Sequence, residues 1–244
     1  MTIIDDLLAT MPLEEVPIRD VRIGLHWTAV CSRGCGLAAT YTDDSAPGQR
    51  RLRDVGRLQE KSAQELAVWL RSDDPLEAAL GLASFNSLAK VEVSGITEGN
   101  AFDLLCRRGA EKKIAVIGHF PQVERLRSAV KTVWVLEKRP QPGDYPADAA
   151  ADLLPQADFI AITGSTLINH TLEGLLRFCP PHVPVMLVGP STPLISMLFD
   201  RGITHLSGSI IVDEQAALLT IQQGAVFSQV QGTRRVILSR EPLS

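Results

Sequence analysis

The sequence predicts an α/β protein: a doubly wound domain whose mostly parallel sheet has about five strands, preceded by a smaller α+β domain. Three observations carry this. Between residues 113 and 226, short runs rich in Val and Ile alternate with polar, helix-compatible stretches. The runs are apolar on both faces, as in strands covered by helices on either side. The first 107 residues instead place strands before helices, the order of an α+β unit. The expected domains are 1–108 and 109–244.

The N-terminal MTIIDDLLATM reads as a short amphipathic helix, with Asp5 and Asp6 where an export signal needs Lys or Arg. VRIGLHWTAVCSRGCGLAATYTDD (21–44) reads as two strands. The stretch 46–59, APGQRRLRDVGRLQ, is turn-rich and basic; Arg50, Arg51, Arg53 and Arg57 fit a solvated linker or a contact with an anionic ligand. Two helices follow, over 62–72 and 75–90. Pro75 suits a first helical turn, and Asp73 or Asp74 suits its cap. NAFDLLCRRGAEK (100–112) predicts a connecting helix ended by Gly109.

The five strands of the second domain are KIAVIG (113–118), TVWVLE (132–137), DFIAITG (158–164), VPVMLVG (183–189) and THLSGSIIV (204–212). The spacers between them fit right-handed β-α-β crossovers. The closing TRRVILSREPLS reads as a strand or a tail.

Composition narrows the function classes. Hydrophobic residues form 45% of the 244, enough for a substantial core, and the net charge of −4 argues against a general nucleic-acid binder. No apolar run approaches the roughly 20 residues that span a bilayer, so no membrane association is expected. Four cysteines in a chain without an export signal predict free thiols rather than a disulfide framework. The expectation is a soluble, cytoplasmic protein, with a homodimer as the prior.

Cys31 and Cys35 bracket Ser32-Arg33-Gly34, which fits a three-residue hairpin loop with Gly34 in the left-handed region. The two thiols would then face each other across antiparallel strands. Packing at a hairpin end, half of a metal site and a redox pair all remain open; two ligands alone do not make a structural zinc site.

Ligands of open α/β sheets bind beyond the carboxyl ends of the strands, where loops lead into helices. The first such end, GHFPQV, fills with His119, Phe120 and Pro121 the space a pyrophosphate would need, so a standard dinucleotide grip is not expected. His119 is either packed at a strand end or a proton donor, ligand or hydrogen-bond partner at the rim. Glu137 ends the second strand where dinucleotide folds hold ribose hydroxyls, or pairs with Lys138 or Arg139. The third end, TGSTLINHT, crowds Thr163, Ser165, Thr166, Asn169 and Thr171 around Gly164, more polar groups than helix capping alone would use. The fourth, VGPSTPL, offers Gly189, Pro190, Ser191 and Thr192. No G-x-S-x-G elbow, Walker loop or H-E-x-x-H is present.

IAVIGHFP, LEKRPQPGDYP, LLPQADFIAITGSTLINHTLEGLL and LVGPSTPL, in this order, closely resemble the putative heavy-metal chelation family, a domain of unknown function. The upstream IGLHWTAVCS…CGLAATY and AALGLASFNSL resemble the small domain that precedes it. The resemblance implies a Rossmann-like domain behind an enolase-N-terminal-like one, with a site in the cleft between them. Its family-like residues here are His119, Pro121, Glu137, Thr163, Gly164, Ser165, Thr166, Asn169, Thr171, Gly189, Pro190, Ser191 and Thr192, with Asn86 and the 34–36 hairpin less distinctive. Cys31 and Cys35 fit no family-wide pattern.

The expected function is binding of a small polar, anionic or metal-chelating metabolite in that cleft. His119 and Glu137 are the candidate catalytic groups, should the protein act on its ligand, and the two hydroxyl-rich turns would bind it. A transition metal or metal chelate is the cofactor class. The alternatives are a nucleotide- or S-adenosylmethionine-dependent enzyme, and a non-catalytic metal carrier using Cys31, Cys35 and a histidine.

Overall fold

The computed structural model describes residues 2–41, 51–91 and 95–241. Its frame is an eight-stranded sheet. Six of the strands run parallel: β5 (Lys113–Ile117), β6 (Thr132–Glu137), β7 (Tyr145–Pro146), β8 (Phe159–Thr163), β9 (Val185–Val188) and β10 (His205–Ile211). Two antiparallel strands, β11 (Thr233–Ser239) and β4 (Ile96–Glu98), extend the β10 edge. The order is β4-β11-β10-β9-β8-β5-β6-β7. The parallel strands thus follow the doubly wound order, with the direction of winding reversing between β5 and β8.

All five expected strands are present. The sheet gains three more, two of which, β4 and β7, are three and two residues long and carry too little periodicity to read. The C-terminal run 233–239, left between strand and tail, pairs with β10 along seven residues.

Alternation along the central strands divides the core. Ile114, Val116, Phe159, Ala161, Met186 and Val188 face one layer, which α4 (Ala101–Arg108) and α5 (Val123–Ala129) cover. Ala115, Ile117, Ile160, Ile162, Val185 and Leu187 face the other, continuous with Leu7, Leu66, Leu80 and Phe85 of the front unit. The N-terminal unit is therefore packed into the main core.

That unit holds α1 (Ile3–Ala9), α2 (Ala63–Ala67), α3 (Pro75–Leu88) and an antiparallel sheet of β1 (Asp20–Ile23), β2 (Trp27–Cys31) and β3 (Cys35–Ala39). A turn at 24–26, closed by Gly24 N–H donating to the Trp27 carbonyl, divides the expected first strand into β1 and β2. The last residues of that segment, 42–44, lie outside the described residues.

α3 starts as its sequence dictates. The Asp74 carboxylate accepts from the Leu76 and Glu77 amides, with Pro75 in the first turn. Gly36 lets α3 lie directly on β3, because a Cβ there would stand 2.1 Å from the Ala83 carbonyl oxygen. The opposite face of the small sheet receives Ala217 and Ile221 of α8 (Glu214–Gln222).

Two expectations about the hairpin are corrected. Cys31 and Cys35 stand opposite each other with Cα atoms 4.1 Å apart and are joined as a disulfide, while Cys106 and Cys179 are free. Gly34 is not left-handed; the loop closes through Ser32 N–H to the Gly34 carbonyl, and Gly34 N–H donates to the Ser87 carbonyl of α3. Of the basic stretch, Arg53 forks onto Glu77 at 2.8 Å over the Trp69 ring, and Arg57 pairs with Glu60. Both are internal contacts, and Arg50 lies outside the described residues. Among the described residues no helix is long and apolar enough to cross a membrane.

Candidate functional site

At the carboxyl ends of β5 and β9 the chain must leave the sheet at once. It does so through glycines at positive φ, Gly118 at +99° and Gly189 at +110°, a region costly for any side chain. Each glycine's N–H still donates to the neighbouring strand, Gly118 to the Leu136 carbonyl and Gly189 to the Ser207 carbonyl. The residues that follow are thereby thrown over the sheet edge.

A cavity of about 530 Å³ lies over that edge. His119, Phe120 and Pro121 border it from β5, Thr163 from β8, Gly189 and Pro190 from β9, and Ser207 and Gly208 from β10. His26 and Trp27 of the small sheet border it too. Two aromatic pairs flank it: Trp27 edge-on to Phe227 with centroids 5.4 Å apart, and Phe102 against Phe120 at 5.2 Å. Arg235 supplies a cation at the wall, its guanidinium 5.3 Å from the Phe227 ring centre.

His119 is the best-supported polar group here. Its Nδ1 lies 2.9 Å from an Asp144 oxygen, and the Asp144 side chain is fully buried. Asp144 also accepts from Arg127 at 3.2 Å and from the Gln141 amide at 3.1 Å. An ionised carboxylate only accepts, so Nδ1 is the donor in this pair, and in the neutral form of the ring the lone pair is on Nε2. This is the arrangement that orients imidazoles as metal ligands and as general bases.

Glu137 stands behind this turn. One carboxylate oxygen accepts from the His119 amide at 3.0 Å and the other from the Lys138 amide at 2.7 Å. Its place in the architecture is to hold His119, through the backbone.

The hydroxyl-rich turns divide. Thr163 reaches the cavity, whereas Thr166 donates to the Thr163 carbonyl at 2.7 Å and Ser165 sits in the same short 3-10 turn (Gly164–Leu167). Gly164 packs on Thr192, where a Cβ would be 2.8 Å from the backbone nitrogen. The Asn169 side-chain oxygen Oδ1 accepts the Thr171 hydroxyl at 2.6 Å, ahead of α7 (Leu172–Leu176). Ser191 and Thr192 are buried. The Ser191 hydroxyl accepts the Ala39 amide at 2.8 Å, and Asn86 donates to the Leu37 and Ser191 carbonyls, tying the front unit to the β9 loop.

Of the expected residues, then, His119, Pro121, Thr163, Gly189 and Pro190 border the hollow, while Glu137, Gly164, Ser165, Thr166, Asn169, Thr171, Ser191 and Thr192 are not among its lining residues. Sequence reasoning missed Asp144, Trp27, Phe227 and Arg235. Asp144 alone left a signal, as the one acid in the Pro- and Gly-rich loop after β6. The others reach the cavity from elements distant in the chain.

Two sequence models, both described as Putative heavy-metal chelation, match residues 100–239 and 4–89. An uncharacterized protein of Methanocaldococcus jannaschii is 31% identical over 198 residues, covering 78% of this chain and 75% of its own. The crystal structure of a protein of unknown function from Desulfitobacterium hafniense superposes with a TM-score of 0.85 at 26% identity, over 98% of both chains. One from Pyrococcus horikoshii gives 0.82 at 20% identity over 97% of both, a likeness of fold. With more than half its length matched by one of these models, the chain belongs to the family described as Putative heavy-metal chelation.

Proposed function

We propose that this protein is a cytoplasmic binder of a small anionic, metal-chelating metabolite, held in the cleft between the small sheet and the carboxyl edge of the large one. The observation that carries the reading is the His119–Asp144 pair at a 530 Å³ hollow. That volume suits an organic molecule, and the rings of Trp27, Phe102, Phe120 and Phe227 in its walls suit one with a flat apolar part. Arg235 answers an anionic group. The Nε2 lone pair of His119 can complete the coordination of a metal that arrives on its chelator, with Asp144 orienting the ring from behind. The same lone pair can accept a proton from a bound substrate.

The test is calorimetric titration with carboxylate chelators, each with and without zinc or nickel, after a thermal-shift screen has chosen them. His119→Ala is expected to abolish the strongest response, and Asp144→Asn to weaken it roughly 10–100-fold. Unchanged affinity in both variants would refute the site.

The strand order favours one other reading, a nucleotide or S-adenosylmethionine site at the same edge. Against it stand His119-Phe120-Pro121 in the first loop and a Glu137 whose two oxygens already accept backbone amides. Calorimetry with NAD, ATP and S-adenosylmethionine separates the two; silence for all three removes the alternative.

A further inference from the structure

Away from the cleft, the hairpin end meets α8. Among the described residues, Cys31, Cys35 and Glu214 form the one group of three metal-ligating side chains, with ligand atoms all within 4.8 Å of one another. Cys31 is fully buried, Cys35 is half-buried, and the Glu214 side chain is 39% exposed. Three chain segments supply the group: both arms of one hairpin, and the first turn of α8. A small pocket of about 110 Å³ borders Cys35 beside Asn86, Thr192 and Ser209. The Asn86 Oδ1, Thr192 Oγ1 and Ser209 Oγ atoms are buried there without a hydrogen-bond partner.

We propose that, once the disulfide is reduced, Cys31, Cys35 and Glu214 form a site for one thiophilic divalent cation, which the oxidised hairpin closes. The geometry supports it. Metal–sulfur bonds of about 2.3 Å in a tetrahedral site hold two sulfurs roughly 3.8 Å apart. Residues paired directly across a hairpin reach that separation by rotating their side chains, and the fourth position opens to solvent on the Glu214 side. Two thiolates with one carboxylate select zinc- or cadmium-like ions over magnesium or calcium.

Charge supports it as well. Arg19 forks onto Glu214 with both contacts at 2.6 Å, and its Nε donates to the Ser32 carbonyl of the hairpin loop. Two thiolates, the carboxylate and this guanidinium leave two net negative charges, which a divalent cation neutralises.

Opening the site requires a dithiol reductant. Each cysteine sulfur gains a proton, the two electrons come from the reductant, and the reductant leaves as its own disulfide. The cation then displaces both thiol protons. A reducing compartment would hold the hairpin in the open form. The proposal does not depend on the cleft: His119→Ala should leave it untouched.

The experiment uses the full chain carrying Cys106→Ser and Cys179→Ser, so that only the hairpin thiols report. Reduced and desalted without oxygen, it is titrated with cadmium ion and followed by thiolate-to-cadmium ultraviolet absorption and by proton release. The expected result is saturation at one equivalent with two protons released, and no band from the oxidised protein. Cys35→Ser should weaken binding roughly a hundredfold or more, and Glu214→Gln roughly tenfold with the band retained. Circular dichroism checks that each variant is folded. A reduced protein with two titratable thiols and no cadmium band overturns the proposal, as does a Cys31→Ser, Cys35→Ser double variant that binds like its parent. A Glu214→Gln variant of unchanged affinity removes Glu214 and with it the three-ligand site.

Discussion

Replacing Gly36 by Ala should loosen the joint on which the front unit depends. A Cβ at that position would lie 2.1 Å from the Ala83 carbonyl oxygen, 2.4 Å from the Ser87 nitrogen and 2.7 Å from the Asn86 carbonyl carbon. All three are backbone atoms of α3, so no rotamer change relieves the overlap. Non-bonded atoms sit about 3.5–4 Å apart, so helix and strand must separate by more than 1 Å or so. α3 carries Leu80, Leu82, Phe85 and Leu88 into the core at 2% exposure or less, and that packing loosens with it. Overpacking typically costs 1–3 kcal/mol, and backbone against backbone belongs at the upper end, about 3 kcal/mol. For a chain of this size each kcal/mol moves the melting midpoint about 2–4 °C, so the expected fall is roughly 6–12 °C. Thermal unfolding followed by circular dichroism measures it. A midpoint within about 2 °C of the wild type would refute the close approach of α3 to β3.

The opposite sign is expected at Gly174, inside α7, where a Cβ meets nothing within 4 Å: Gly174→Ala should stabilise by about 0.5–1 kcal/mol in a denaturant titration. Ser191→Ala leaves the Ala39 amide without its acceptor, and should cost about 1–2 kcal/mol while leaving cleft affinity unchanged; a loss of ligand binding alone would show that the hydroxyl faces the ligand. Burial, with the Arg108 charge second, pulls His205 down from 6.5 to about 4. Between those values the unfolded chain holds a proton that the folded chain does not, so stability falls as pH drops from about 6.5 toward 4. The loss amounts to about 2 kcal/mol after allowance for solvent screening. His205→Gln should flatten that part of the stability profile in denaturant melts at pH 7 and pH 4.5, and an unaltered slope would assign it to other groups.

Five of the six parallel strands were legible, four of them (β5, β6, β8 and β9) because they are apolar on consecutive residues, a pattern that burial on both sheet faces imposes and that survives without tertiary knowledge. The α3 start was legible for a similar reason: Asp74 and Pro75 act on their own helix end within three residues. His119 could be placed at the carboxyl edge of the sheet because strand direction alone decides which loops lie there. What residue types could not convey was which polar groups the fold consumes. Thr166, Asn169 and Ser191 look alike in the chain, yet one bonds its own turn, one the helix entry and one the other unit.

The sequence by itself determined the order of strands and helices and which loops lie at the carboxyl edge of the sheet, since both follow from local periodicity and chain direction. Only the tertiary structure decided that Asp144 stands behind His119 and that Trp27 and Arg235 close the cavity. It alone brought Glu214 beside the hairpin cysteines, 179 residues after Cys35. Contacts between distant segments arise from how whole layers pack, and no local pattern encodes them.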